Sequence, residues 1–241
     1  MGTASRFDGI LKDELNIHAA WLPITNTFRV GDYGLVSDGV LVKAGNIKDD
    51  YGVSFQVAPG KASKLNFTSK GTSLVRSANG AEVQIFPDNS VDAKLTVAFS
   101  SSNSFLLKAN LGSVEMQDLA NVARKLANAL GWKRKYRVVS AVYSAQDCAV
   151  ISSKSGESSI ELSGKADALK QFDLGAVAAG IEASRKHDIG LDLVGERGVI
   201  GLALFKLPAL WGDEPKVLAD HDVKVETSFD RDWPRELPDD V

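Results

Sequence analysis

The densest group of residues suited to chemistry is Trp132-Lys133-Arg134-Lys135-Tyr136-Arg137, where four cations interleave with two aromatic rings. Cations hold phosphate oxygens and rings bury against bases or acyl chains, so the run suits nucleic acid or an anionic lipid surface. It equally fits a solvated connection after a helix, whose C-terminal end favours positive charge. Nucleic acid is the weaker partner, because no RNA- or DNA-binding motif accompanies the run.

Other chemistries lack their residues. His18, His187 and His221 stand far apart in a 241-residue chain, and none has metal-ligand spacing. The single cysteine, Cys148, lies in the strand-like run DCAVI and reads as a buried, inert thiol. No nucleophile elbow, zinc-protease, phosphate-loop or dinucleotide pattern occurs. No metal, no cofactor and no enzymatic activity are therefore expected, although scattered carboxylates leave a hydrolase as an alternative.

The elements that must position the basic run alternate between short strands and a few helices. Phe7, Ile10, Leu11 and Leu15 share one face of a helix over 4–16. Short glycine-broken strands fill 28–70, and Asn79-Gly80 predicts a two-residue hairpin turn. AKLTVAF and SFLLKAN read as strands joined around Ser101. A helix is expected over 114–130, capped by Ser113 and stopped at Gly131, with Leu119, Val122, Ala123, Leu126, Ala127 and Leu130 buried. KYRVVSAVYSA, DCAVISS and ESSIELS read as strands, 166–184 as a second helix, and DIGLDLVG and VIGLALFKL as closing strands. The class is α+β, a mainly antiparallel, twisted sheet flanked by a few helices, with a short C-terminal tail packed on the body. Alternating polar and apolar residues suit a half-buried sheet, and the same pattern suits a membrane β-barrel.

Charge divides the chain. The net charge is −3, yet residues 208–241 alone carry ten acidic and four basic side chains. The body, 1–207, has 24 basic and 21 acidic residues. The acidic tail either aids solubility or covers a basic surface; Trp211, Phe229 and Trp233 within it favour docking. The N-terminal residues lack the apolar core of a secretory signal, which points to a cytoplasmic protein.

The order of features from Lys94 to Leu207 resembles a small bacterial gasdermin: a strand ending in AFSSS, the SFLLKAN run, a helix, YRVVSAVYSA leading to CAVISS, a polar hairpin, a further helix, and GLDLVG…GVIGLALFKL. LPITNTFRVGDYG is loosely similar to the family's opening. Residues 2–5 are Gly, Thr, Ala and Ser where such proteins often carry a lipidated cysteine, a departure that leaves lipidation open. The resemblance implies a pore-former held inactive by its C-terminal peptide and activated by a protease, serving antiviral defence by cell death. On it, 1–207 would form the pore and 208–241 the inhibitory peptide. Cleavage would fall around Leu207, Leu210 and Asp213, and Trp211, Phe229 and Trp233 would anchor the tail. Lys133, Arg134, Lys135 and Arg137 would bind anionic lipid. The monomer would then become a homo-oligomer in the inner membrane. A non-enzymatic binding or structural module of a bacterium or phage is the alternative.

Overall fold

A computed structural model of the chain describes residues 2–177 and 180–207. The elements in order are α1 (Thr3–Leu15), β1 (His18–Ala19), β2 (Asp32–Ser37), β3 (Val40–Asn46), α2 (Ile47–Tyr51), β4 (Val57–Pro59), β5 (Ser63–Thr68), β6 (Thr72–Ala78), β7 (Ala81–Val83), β8 (Asp92–Phe99), β9 (Phe105–Met116), α3 (Leu119–Ala127), β10 (Arg137–Ser153), β11 (Ser159–Lys165), α4 (Ala166–Asp173), β12 (Glu182–His187) and β13 (Ile189–Phe205). The class is α+β with antiparallel pairing throughout the described residues. The acidic tail, and with it Leu210, Trp211, Asp213, Phe229 and Trp233, lies outside the described residues.

Two sheets share one plan. The first contains the order β13-β10-β9-β5 and the second the order β12-β11-β8-β6. Each strand of one is joined in sequence to its counterpart in the other: β5 to β6, β8 to β9, β10 to β11, β12 to β13. The pairing runs on across the joints. Thr68 faces Leu106 and Thr72 faces Phe99; Ser152 faces Phe105 and Ser159 faces Ala98; Ser153 faces Ile189 and Ser159 faces His187. The molecule is thus built on one four-stranded antiparallel sheet folded over at a corner into two leaves, which we call A (β5, β9, β10, β13) and B (β6, β8, β11, β12). Strands β1, β2, β3 and β4 extend leaf A, and β7 extends leaf B.

Near the corner, the central strands of leaf A are buried on both sides. Phe105, Leu107, Ala109 and Leu111 of β9 pack with Ala141, Tyr143, Cys148 and Val150 of β10 beneath Phe7, Ile10 and Leu11 of α1. From its other face Leu106, Ala149 and Ile151 enter the angle between the leaves. There they meet Leu95, Val97 and Phe99 of β8, Ile160 and Leu162 of β11, and Ala166, Leu169 and Phe172 of α4. Helix α4 therefore fills the inside of the fold. At Asn79-Gly80 both residues adopt positive φ, 50° and 77°, and the expected hairpin forms between β6 and β7.

Three expectations are corrected. The helix over 114–130 is shorter, because Val114 and Glu115 pair with Val142 and Ala141 as part of β9. Asp118, not Ser113, caps α3 by accepting from the Asn121 N–H. The helix over 166–184 ends at Asp173, where Leu174 and then Gly175, at φ 92°, turn the chain, and 182–187 form a strand. The runs 135–145 and 147–153 become one 17-residue strand, with a bulge between Ala145 and Cys148.

Candidate functional site

Two features could carry function: the loop after α3 and the corner between the leaves. The loop begins where α3 runs out. Asn128 closes the helix by donating its side-chain amide to the Arg124 carbonyl, and Gly131, at φ 81°, turns the chain back. The Tyr136 N–H then bonds the Lys133 carbonyl in a second turn. Ring packing fixes the base of this loop. Trp132 and Tyr136 pack with Tyr33 of β2 and Tyr51 of α2 in tilted and edge-on pairs, with centroids 4.9–5.5 Å apart.

Above this aromatic base Lys133, Arg134 and Lys135 are all exposed. Lys133 Nζ lies 5.9 Å from the Tyr136 ring. Arg137 is half-buried at the start of β10, opposite Gly34, and donates to the Lys135 carbonyl. The loop thus gathers three of the four expected cations on an outward turn and sets the fourth behind them. Arg124 and Lys125, exposed in the last turn of α3, extend the positive surface. Leu130 was expected in the core; α3 stops three residues short of it, and it stands 99% exposed at the tip. Leu35 and Val42, an exposed cross-strand pair, lie on the β2–β3 hairpin; Leu35 shares the Tyr33 face of β2. An apolar tip among cations, on a rigid aromatic base, can enter the headgroup layer of an anionic membrane.

The corner is stitched by serines. Ser158, fully buried, donates through Oγ to the Asp188 carbonyl at 2.7 Å and accepts from the N–H groups of Lys154 and Ser155. Ser153 Oγ accepts from the Ser104 N–H and donates to the Ser101 carbonyl at 2.7 Å. Ser69 Oγ accepts from the Phe105 N–H, and Ser152 Oγ from the Leu191 N–H. Asp188 alone separates β12 from β13 and turns the chain at φ 51°. These bonds hold the bend with short polar contacts beside the packed side chains of Phe99, Phe105 and Ile189.

The remaining candidates have other roles. Burial pushes the Cys148 thiol up to about 12, with Glu196 and Asp147 adding to it, so the thiolate is not available at neutral pH. His18 sits 3.4 Å from the buried Asp8, His187 is exposed on β12, and His221 lies outside the described residues. Among the described residues no cluster of His, Cys, Asp or Glu could hold a metal. Nor is any helix there long and apolar enough to cross a membrane. Leu207 is buried against Val138 and Phe205, in the same cluster as Trp132 and Tyr136.

No known protein family matches the chain, and no curated protein matches it. Among solved structures the chain is similar to a bacterial gasdermin from Bradyrhizobium tropiciagri, at 14% sequence identity over 87% of this chain and 88% of that one, with a TM-score of 0.38.

Proposed function

We propose that this chain is an autoinhibited membrane pore-former of gasdermin type. The observation that carries the reading is the folded-over sheet: unbending at the serine corner would turn leaf B outward as four antiparallel strands already in register. Leaf B is built for that exposure. Leu95, Val97 and Phe99 face one way on β8, and Lys94 and Thr96 the other; β11 repeats the pattern with Ile160 and Leu162 against Glu161. On these two central strands one face suits lipid and the other a watery lumen, whereas the edge strand β12 is polar on both faces. The strands of leaf B have six to eight residues, and a membrane-crossing strand needs about 9–11. The corner residues 100–104 and 154–158, recruited on unbending, supply the difference. Copies must then join edge to edge into a homo-oligomer, because open sheet edges cannot stand in lipid.

The segment 208–241 holds this back. Its acidic excess is opposite in sign to the body, and it follows Leu207, which belongs to the cluster that supports the cationic loop. A cytoplasmic protease cutting beyond the buried Leu207, near Leu210 or Asp213, frees the loop. Lys133, Arg134, Lys135 and Arg137 then bind anionic lipid of the inner membrane, with Leu130 below the headgroups. Defence by cell death is the role that the gasdermin resemblance implies for such a pore.

Dye release from anionic vesicles tests this. Protein cleaved beyond Leu207 should release dye and the intact chain should not. Leu130→Asp, or Lys133→Glu with Lys135→Glu, should weaken vesicle binding of the cleaved protein at least tenfold. Binding by the intact chain equal to that of the cleaved protein would sink the autoinhibition. A cleaved, folded protein that binds no vesicle would point instead to a binding module.

A further inference from the structure

One strongly polar side chain stands in the closed angle of the sheet. Lys108, on β9 in the apolar run FLLKANL, is only 4% exposed. Its Nζ donates to Asn66 Oδ1 of β5 at 2.9 Å and to the Asp173 backbone carbonyl at the end of α4, 3.3 Å away. It also lies 5.4 Å from the centre of the Phe172 ring. Both oxygen acceptors are neutral, and an ammonium has three N–H groups to satisfy. The Asp173 carboxylate, the nearest anion, is turned away to Arg76 of β6, whose Nε and Nη2 hold its two oxygens at 2.6 and 2.9 Å. Among the described residues no carboxylate forms an ion pair with Lys108.

A buried ammonium is stabilised by direct anionic partners and is costly without them. Burial holds the Lys108 amine below its ordinary pKa; Asp173 opposes that shift, and Arg76 adds to it. The contacts also span the fold, since Lys108 and Asn66 belong to leaf A while Arg76 belongs to leaf B and α4 packs on β8 and β11 of that leaf. Helix α4 must leave the angle if leaf B swings out, and that movement returns the ammonium to water.

We propose that Lys108 is a preloaded element of the hinge: a charge held in the closed angle without a carboxylate, whose hydration on unbending favours the open sheet. The opposite role would be a clasp, in which Lys108 holds α4 to leaf A and stabilises the closed form. The consequence in lipid rests on the unbending proposed above; the stability test does not.

Two variants of the full chain separate these roles. Lys108→Met keeps an unbranched side chain, one heavy atom shorter, and removes the charge. Asn66→Asp keeps the lysine and places a carboxylate oxygen where the amide oxygen now accepts. A preloaded charge predicts that each raises Tm by about 2–4 °C, and that amide exchange in β8 and β11 slows. After removal of residues 208–241, dye release from anionic vesicles should slow about tenfold in both. If Lys108→Met does not fold, Asn66→Asp decides the matter. A Tm that falls or stays unchanged in Asn66→Asp overturns the proposal in favour of the clasp. If the unsubstituted protein releases no dye after cleavage, the pore reading fails while the Tm comparison still decides the role of Lys108.

Discussion

Leaf A and leaf B are made by the same four passes of the chain, yet they are buried in different ways. In leaf A, Phe105, Leu106 and Leu107 are consecutive and all fully buried, because α1 covers one face and the angle of the fold covers the other. In leaf B, β8 alternates buried and outward residues, and β12 is exposed along nearly its whole length. A strand buried on both faces opens only when the whole core opens, whereas a strand buried on one face can leave as a unit. The fold thus sets strands buried on both faces against strands buried on one face, with buried serines at the corner between them.

The largest expected effect belongs to the strands buried on both faces. Leu107→Ala removes a fully buried side chain beneath α1 and should cost about 3–4 kcal/mol in urea unfolding. A cost below about 1 kcal/mol would erase the distinction between the leaves. Next comes the corner. Ser158→Ala deletes the bond to the Asp188 carbonyl and leaves the Ser155 N–H without its acceptor, while the Lys154 N–H keeps the Asp188 carbonyl at 3.0 Å, a loss of about 1–3 kcal/mol. Amide exchange should then rise in β8, β11 and β12 while β9 and β10 stay protected. Equal acceleration in both leaves would mean that the corner is not a hinge.

The third prediction concerns the helix that seals leaf A. Asp8 is buried, accepts the Ala19 N–H at 2.8 Å and lies 3.1 Å from Lys12 Nζ. Burial pushes its carboxyl upward, but His18, the Ala19 N–H and Lys12 together outweigh burial and hold it below its ordinary value. A folded pKa below the unfolded value of about 3.9 stabilises the fold above about pH 4 and ceases to do so as pH falls through the folded pKa. The stability gap between the native chain and Asp8→Asn should therefore shrink from pH 5 to pH 3. A gap that is constant with pH would contradict the assignment. The smallest effect is on the outer face of leaf B. Lys94, half exposed, meets Glu161 at 3.0 Å, and Lys94→Ala should change stability by no more than about 0.5 kcal/mol.

How much of this was legible in the sequence depends on how local each signal is. The alternation of Leu95, Val97 and Phe99 and the Asn79-Gly80 turn are local, and both appear as expected. The expected helix over 114–130 is too long at both ends, at Val114, its expected start, and at Leu130, the last residue of its expected buried stripe. Pairing of Val114 with Val142 claims one for the sheet, and the cap at Asn128 leaves the other in solvent. The strand at 182–187 carries polar residues on both sides, since it is an edge strand, and so shows no alternation to read. The folded-over sheet depends on register between distant segments. Its only traces in sequence are the serines near 69, 100–104 and 152–158 and a lone lysine inside an apolar run.

The central claim is that leaf B enters the bilayer as an alternating sheet. Environment-sensitive dyes placed singly at Lys94→Cys, Leu95→Cys, Thr96→Cys and Val97→Cys test it most directly; because Leu95 and Val97 are as buried as Cys148 in the folded protein, each substitution is combined with Cys148→Ala and labelled in denaturant before refolding. After cleavage beyond Leu207 on anionic vesicles, dyes at 95 and 97 should be quenched from the lipid phase and dyes at 94 and 96 from the aqueous phase. Aqueous quenching at all four positions would contradict the account.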